Sequence, residues 1–358
     1  MKIFSFGFGL KKKIILPFIS SIFYFLSYLS LSKLDNNINL YILLILSQLF
    51  FGIIYLILNH KSKRKSLILN YNLLDKVILI KGNYIKILIL SIIISFLSLN
   101  IIFEFDYYLN KKNDKNLYSH NPLFYIIIGN FGIFIIGLFS YFKATIGKHH
   151  KLTINLSLIL LILLIYIKRN ILMRAFTNAY KIPVVIPIIF SPIKELLINY
   201  LIISLSYSPY FLIFFNGILQ SIYFIIYYLF SDIYIFQILD IKNIVLALLF
   251  IIFYCIFLYF KINTNYFLSP GHCVIIYFLI SLISSGYLTY EFSKEIFFFR
   301  EFVYFIYSLI FLIFSLIYNE IIILHFFDLD KDTMKEIDER AINEDYNILN
   351  DNSREENN

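Results

Sequence analysis

The chain has few residues of the kinds that build a water-exposed surface. Only 15% of its 358 residues are charged, whereas 60% are hydrophobic, and the mean hydropathy is +0.78. A soluble domain is close to half apolar and a quarter charged, so this chain has too little polar residue to coat a surface of its size. The scarcity of charge therefore excludes an ordinary soluble domain and predicts an integral membrane protein.

Tryptophan is absent, and there are only two cysteines, Cys255 and Cys273, each within or at the edge of an apolar run. Two such thiols build neither a disulfide framework nor a CxxC metal site. Phenylalanine and tyrosine are abundant, with 40 and 30 residues, beside much isoleucine, asparagine and lysine. This usage indicates an A/T-rich genome, so the aromatic content is not in itself a functional signal.

The net charge is +8, and the basic residues lie beside the apolar segments. Anionic lipid headgroups and the rule that places basic residues on the cytoplasmic side explain this distribution. We therefore expect a lipid bilayer as partner and no nucleic acid.

Long apolar runs recur along the chain. A hydrocarbon layer of about 30 Å needs roughly 20 helical residues, and an open sheet would leave unpaired backbone groups in lipid. The sequence therefore predicts an all-α, polytopic transmembrane helical bundle over residues 14–324, with about ten spans that divide into two sets of five. The predicted spans are 14–32, 38–58, 87–103, 122–142, 152–167, 182–204, 209–231, 243–260, 273–290 and 302–324.

The two ends of the chain differ in charge. Residues 1–13 form a basic N-terminus, and residues 325–358 form an acidic tail that we expect to be largely disordered. The basic residues between predicted spans two and three, chiefly within 61–65, favour cytoplasmic termini. Both an endomembrane and the plasma membrane are compatible with the sequence.

Two adjacent charged residues, Lys194 and Glu195, lie near the middle of the sixth predicted span. A charge at the bilayer centre costs about 3 kcal/mol, so such residues are candidates for a substrate or proton site. Neighbouring helix positions point about 100° apart, and we expect each side chain to meet another helix or a wet cavity. In the alternative interpretation Pro192 breaks the helix and leaves both charges in water at an interface.

A polar stripe runs along the seventh predicted span. Asn216, Gln220, Tyr223 and Tyr227 recur at spacings of four, three and four, with Gly217 beside the first of them. Such a stripe lines a polar pathway or forms hydrogen bonds that hold helices together, and glycine permits close approach. Both interpretations stay open.

Further polar residues occur at span four and at the end of span ten. Asn130 is flanked by Gly129 and Gly132, a pattern typical of closely packed helices with a polar side chain at the contact. Glu320, next to Asn319, is either an interfacial residue or a functional acid.

Motifs for catalysis are weak. Glu104 and Asp106 resemble the paired acids of membrane glycosyltransferases, but they lie in a different loop. Adjacent histidines point apart on regular structure, so His149 and His150 are expected in a solvated basic loop. His272 has no matching partner in the sequence. The sequence predicts no catalytic residue, no cofactor and no metal ion.

Ser208-Pro209-Tyr210 followed by Asn216-Gly217 resembles the start of the seventh helix in the drug/metabolite transporter superfamily. Lys194 and Glu195 lie where such proteins often carry a charged pair in helix six. The segments Tyr318-Asn319-Glu320-Ile321-Ile322 and Asp328-Leu329-Asp330-Lys331-Asp332-Thr333 are similar to the close of some uncharacterised eukaryotic members of that group.

The resemblance implies ten helices as two inverted five-helix repeats, cytoplasmic termini and alternating access around a central cavity. The chain departs from the pattern in having only 11 glycines, and in having Asn216 where related sequences often have an acid. The leading hypothesis is a transporter of a small metabolite, not an enzyme. Its substrate-binding residues would be Lys194, Glu195, Asn216 and Gln220, with Asn130 opposite.

Two alternatives come from other classes of protein. A membrane enzyme acting on lipid-linked substrates would need Glu104 or Asp106 and would not need Lys194. A non-catalytic membrane scaffold or receptor would need neither cluster and would bind a partner through the acidic tail.

Overall fold

A computed structural model describes residues 4–6, 10–34, 40–62, 84–98, 122–142, 147–167, 181–205, 209–229, 241–291, 298–325, 329–331 and 333–335. Ten α-helices and two short strands lie within these ranges. The helices are α1 (Leu10–Ser32), α2 (Leu40–Ser62), α3 (Tyr84–Ser98), α4 (Pro122–Phe142), α5 (Lys148–Ile167), α6 (Lys181–Asn199), α7 (Pro209–Leu229), α8 (Ile241–Phe267), α9 (Pro270–Glu291) and α10 (Phe298–Tyr318). The strands are β1 (Phe4–Phe6) and β2 (Ile322–Leu324).

The predicted all-α bundle is confirmed for these residues, which are nearly all helical. Five helices, α1, α4, α5, α8 and α9, are long and apolar enough to cross a membrane, and shorter apolar stretches occur in α2, α3, α7 and α10. The apolar runs form helices because in lipid each helix satisfies its own backbone hydrogen bonds. Five membrane-length helices support association with a bilayer.

Apolar side chains cover much of the outer surface of the bundle. Ile159 and Ile162 on α5, and Ile241 and Leu248 on α8, are exposed, whereas small polar residues such as Ser281 are fully buried. Many of the buried serines bond to carbonyl groups; Ser281 Oγ, for example, donates to the Pro122 carbonyl at 2.8 Å. This distribution is the one expected when lipid rather than water surrounds the helices.

The helix α9 lies at the centre of the bundle and packs against α1, α4, α6, α8 and α10. Phe278 on α9 stacks on Phe311 of α10, with ring centroids 6.0 Å apart. A Cβ atom at Gly129 would lie 2.6 Å from the ring of Phe278, so the glycine lets α4 approach α9. The close-packing point predicted around Asn130 therefore has a specific neighbour.

The helix α6 is continuous from Lys181 to Asn199 and passes into a π-helical turn, Tyr200–Ser204. The alternative in which Pro192 ends the helix is wrong, because α6 runs through that residue. Proline is tolerated inside membrane helices, since neighbouring groups satisfy the backbone carbonyl that it leaves free. Residues 194 and 195 are therefore held on a regular helix.

The two ends of the described bundle meet. Strand β1, before α1, pairs antiparallel with β2, after α10, with Phe4 opposite Leu324 and Phe6 opposite Ile322. Helix α10 ends at Tyr318, six residues before the predicted end of span ten at residue 324. The disorder predicted for the tail concerns mainly residues 336–358, which lie outside the described residues.

Candidate functional site

A buried ion pair joins α6 to α8. Glu195 Oε1 lies 2.9 Å from Lys261 Nζ, and the two residues are 3% and 7% exposed. Lys194 is also buried, and its Nζ lies 3.9 Å from the same carboxylate oxygen. We expected each side chain to meet another helix or a wet cavity; Glu195 meets Lys261 on α8, whereas Lys194 approaches Glu195 itself.

Lys261 reaches Glu195 because α8 continues beyond the predicted end of span eight at residue 260. The last turns of the helix carry the buried polar residues Lys261, Asn263, Thr264 and Asn265. Residues four apart share a helix face, so Lys261 and Asn265 both face α6. Because the predicted span ends at residue 260, it leaves Lys261 outside; the i, i+4 spacing of lysine and asparagine is the signal that identifies it.

Asn265 holds the carboxylate from the other side. Its Nδ2 donates to Glu195 Oε2 at 2.8 Å and to the Glu195 main-chain oxygen at 3.0 Å. Asn199 Nδ2 donates to the Asn265 carbonyl at 3.3 Å. The side-chain oxygen Oδ1 of Asn265 is buried and has no hydrogen-bond partner among the described residues. A buried acceptor of this kind is available to a donor on a ligand or water.

Tyr277 extends the network to α9. Lys261 Nζ donates to the Tyr277 hydroxyl at 3.1 Å and lies 5.1 Å from the centre of its ring. The same hydroxyl is hydrogen-bonded to Ser191 on α6. The network Glu195–Lys261–Tyr277–Ser191 therefore connects three helices through polar groups.

A buried pair of this kind can act as a charge-sensitive switch. Removing one partner leaves an uncompensated charge in a low-dielectric interior, at a cost of about 3–5 kcal/mol. A ligand or proton that compensates one of the charges offsets this cost and lets α6 and α8 separate. The geometry therefore suits a site whose helix packing depends on what is bound.

The other predicted substrate residues on α7 lie in a different helix interface. Asn216 and Gln220 are buried, and Gln220 Nε2 donates to the Ser95 carbonyl on α3 at 3.5 Å. A Cβ atom at Gly217 would lie 3.1 Å from the Leu49 nitrogen on α2, so the stripe packs closely there. Asn216 Oδ1 is buried without a hydrogen-bond partner among the described residues.

Asn130 makes hydrogen bonds within the packing of α4 and α5. Its Nδ2 donates to the Ile126 carbonyl at 2.8 Å, and its Oδ1 accepts from the Ser157 hydroxyl. The first bond lies within α4, and the second holds α4 to α5. The catalytic candidates Glu104 and Asp106 lie outside the described residues.

Comparisons with known proteins give no relative from which function could be inferred. No protein-family model matches the chain, no curated protein is significantly similar to it, and no solved structure matches it. The similarity to drug/metabolite transporters therefore depends on the short sequence motifs alone.

Proposed function

We propose that the chain is a multi-pass membrane transporter that moves a small metabolite by alternating access. In this proposal the ten helices cross the bilayer, and the first five and last five form two inverted repeats. The Glu195–Lys261 pair lies at the central site and responds to the charge of the bound molecule or of a proton.

The observation that carries the proposal is the pattern of helix packing. If α1–α5 are exchanged for α6–α10 in order, most of the extensive contacts map onto one another. Helix α1 packs on α8 and α9, while α6 packs on α3 and α4; α2 packs on α8, while α7 packs on α3. The contacts α2 with α7, α4 with α9, and α5 with α10 map onto themselves. Such exchange supports two five-helix repeats, the architecture of many secondary transporters.

Two buried hydrogen bonds between hydroxyl groups also lie between pairs of helices that correspond under this exchange. The hydroxyls of Tyr24 on α1 and Tyr125 on α4 are 3.0 Å apart. In the corresponding pair of helices, α6 and α9, the hydroxyl groups of Ser191 and Tyr277 are hydrogen-bonded. The second of these bonds belongs to the charge network, so the proposed central site lies beside a contact that has a counterpart in the first half.

The ends of the bundle are consistent with an even number of crossings. Strand β1 precedes α1 and β2 follows α10, and the two strands are paired, so both ends lie on one side of the bundle. The basic residues of 61–65 favour the cytoplasm for that side by the rule for positive residues. Ten crossings with cytoplasmic termini satisfy both conditions.

The charge network supplies the coupling in this proposal. In one state α6, α8 and α9 are held together by the contacts of Glu195, Lys261 and Tyr277. A substrate group that replaces one side of the ion pair lets these helices separate without leaving a buried charge. Binding and helix movement are thereby linked, because a ligand shifts an equilibrium only through its different affinity for the two states.

The test is a transport assay on the full-length chain in vesicles. Proteoliposomes are loaded with a defined mixture of amino acids, sugars, nucleosides and dicarboxylates, and the release of each compound is followed by mass spectrometry. We expect the wild type to release at least one compound faster than protein-free vesicles. Release faster than in protein-free vesicles for none of the compounds, from protein that is folded and correctly inserted, would contradict the proposal.

Variants then test the site separately from the function. We expect Glu195→Gln and Lys261→Met to slow release by about tenfold or more, because losing about 1.4 kcal/mol of interaction changes a rate tenfold. Lys242→Met is the matched control, since Lys242 is an exposed lysine on the same helix, α8. Transport that is unchanged in both site variants would remove the pair from the mechanism and leave the transporter proposal in place. Asn216→Ala tests the α7 stripe in the same assay.

A further inference from the structure

A second cluster of ionisable groups lies at the end of the bundle where β1 and β2 pair. His149 and His150 lie in the first turn of α5, and Glu320 follows α10; the three residues are 3%, 8% and 7% exposed. The expectation of a solvated loop for the two histidines is wrong, because both rings are packed inside. Their ring centroids are 3.9 Å apart, and both Nε2 atoms approach the same carboxylate.

The distances within this cluster suit a shared metal ion. The Oε1 atom of Glu320 lies 3.3 Å from His149 Nε2 and 3.9 Å from His150 Nε2. One ligand atom from each residue lies within 4.8 Å of the others. Zinc is bound at about 2.0–2.2 Å by histidine nitrogen and carboxylate oxygen, usually in tetrahedral geometry, so two of its ligands lie about 3.5 Å apart. The His149 distance is close to this value, and a side-chain shift of a few tenths of an ångström brings His150 to it.

Hydrogen bonding orients the ring of His149. The Thr333 hydroxyl donates to the Leu329 carbonyl at 2.6 Å, and its oxygen lies 3.2 Å from His149 Nδ1. Because the hydroxyl proton is used on the carbonyl, Nδ1 carries a proton and donates it to Thr333. The lone pair of a neutral His149 ring is then on Nε2 and faces Glu320. The lone pairs of His149 Nε2 and of the Glu320 carboxylate oxygen then face each other, and they require a proton or a cation between them.

His150 has a different role before a metal is bound. Its Nδ1 accepts a hydrogen bond from the Gly147 N–H at 3.1 Å, which caps the first turn of α5. A metal ligand at Nε2 needs the ring proton on Nδ1, so binding exchanges this capping bond for a metal bond. One capping hydrogen bond is a small loss beside the affinity of a structural zinc site.

Glu320 occupies an unusual backbone position. The bonds Glu320 N to Ile317 O at 3.1 Å and Ile321 N to Leu316 O at 2.9 Å close α10 in a Schellman motif. The residue at this point has φ of 57°, where glycine is the usual choice. A glutamate is therefore held in a strained conformation, and its side chain is directed toward the two histidines.

We propose that His149, His150 and Glu320 bind a divalent transition-metal ion of the zinc type. Two imidazole nitrogens and one carboxylate oxygen form a donor set that suits Zn²⁺ and its neighbours better than Mg²⁺ or Ca²⁺, which prefer oxygen ligands. The ion ties the start of α5 to the end of α10, and through Thr333 it orders the beginning of the C-terminal segment. This site is independent of the Glu195–Lys261 network and of the transport proposal.

The test is metal binding by the full-length chain in detergent. The protein is stripped with a chelator, and Zn²⁺ is added in competition with a chromogenic chelator. We expect one tightly bound ion per chain. Glu320→Gln and His149→Asn weaken its binding by roughly 100-fold or more, because even an outer hydrogen-bond partner of a metal ligand is worth 10–100-fold. Thr333→Val, which removes the hydroxyl that orients His149, weakens it by about 10-fold or more.

His325→Asn is the matched control, because His325 lies in the same terminal segment and pairs with Asp330 at 3.1 Å. We expect this variant to weaken Zn²⁺ binding no more than Thr333→Val does, because it acts only on the terminal segment. The proposal is overturned if the wild type has no tight Zn²⁺ site. It is also overturned if folded Glu320→Gln and His149→Asn bind Zn²⁺ as tightly as the wild type. If a variant does not fold, the proposal is tested instead by the visible spectrum of Co²⁺ added to the wild type. A visible spectrum of tetrahedral nitrogen and oxygen coordination supports the site, and the spectrum of hydrated Co²⁺ overturns it.

Discussion

Replacing Lys261 with methionine removes one charge from the buried network and keeps most of the side-chain volume. In the wild type the Lys261 ammonium donates to Glu195 at 2.9 Å and to the Tyr277 hydroxyl at 3.1 Å. After the substitution the Glu195 carboxylate keeps its hydrogen bond from Asn265 at 2.8 Å and loses its nearest cation. We therefore expect the folded chain to be destabilised.

The magnitude follows from burial on both sides of the pair. Loss of one partner of a buried ion pair costs about 3–5 kcal/mol, because the remaining charge is left desolvated. Glu195→Gln alone leaves the Lys261 ammonium with the Tyr277 hydroxyl and the uncharged amide, and we expect a loss of similar size. In the double variant Glu195→Gln/Lys261→Met both charges of this pair are removed together, and Lys194 is the charge that remains beside residue 195. The free energy of unfolding lost in the double variant should be smaller than the sum of the losses in the two single variants, by about 1–3 kcal/mol.

The measurement is unfolding of the purified chain in mixed detergent micelles, with denaturing detergent as the variable and helical circular dichroism as the signal. Lys242→Met on the same helix α8 is the control, since Lys242 is exposed and a change within about 0.5 kcal/mol is expected there. If Lys261→Met unfolds like the control, or if the two single losses simply add, the pair does not hold α6 to α8 and our reasoning about the network is refuted. Recovered stability without recovered transport in the double variant would separate the two roles of the pair.

Two further predictions concern other parts of the bundle. A Cβ atom at Gly52 would lie 2.6 Å from the Phe214 Cα, so Gly52→Ala should destabilise the α2–α7 contact by about 1–3 kcal/mol in the same unfolding assay. Gly286→Ala, where the nearest atom is 3.6 Å away, should be neutral or stabilising; equal losses would contradict the packing. The hydrogen bond from His325 lowers the pKa of Asp330. The stability that this bond gives to the segment is therefore present above the usual aspartate pKa and is lost as the pH falls through the lowered pKa. Protease cleavage of the C-terminal segment should therefore increase only under strongly acidic conditions with an acid-active protease, and Asp330→Asn should show the increase at neutral pH.

The positions of the helices could be predicted from the sequence to a large extent. Hydropathy is a property of about 20 neighbouring residues, so apolar runs indicate where a helix lies without knowledge of its neighbours. The ten described helices overlap the predicted segments, and five of them have membrane length. The boundaries are harder to predict, because a helix end depends on caps and contacts. Helix α8 thus continues to Phe267, and α10 stops at Tyr318.

The candidate sites could be predicted only in part. Lys194 and Glu195 were visible because charge is rare in an apolar run, and Glu195 proved to be in a buried network. Its partner Asn265 is 70 residues further along the chain, and no local pattern specifies which distant residue a side chain will meet. The same holds for Thr333 and His149, which are 184 residues apart.

The sequence by itself determined that this chain is a helical bundle with apolar outer surfaces, because each helix satisfies its own backbone and its apolar side chains need lipid or protein around them. The tertiary structure alone decided which polar residues meet. The burial of His149 beside Glu320, and of Lys261 beside Glu195, follows from how distant helices pack. Packing is a property of the whole bundle, whereas hydropathy and spacing report only on neighbouring residues in the chain.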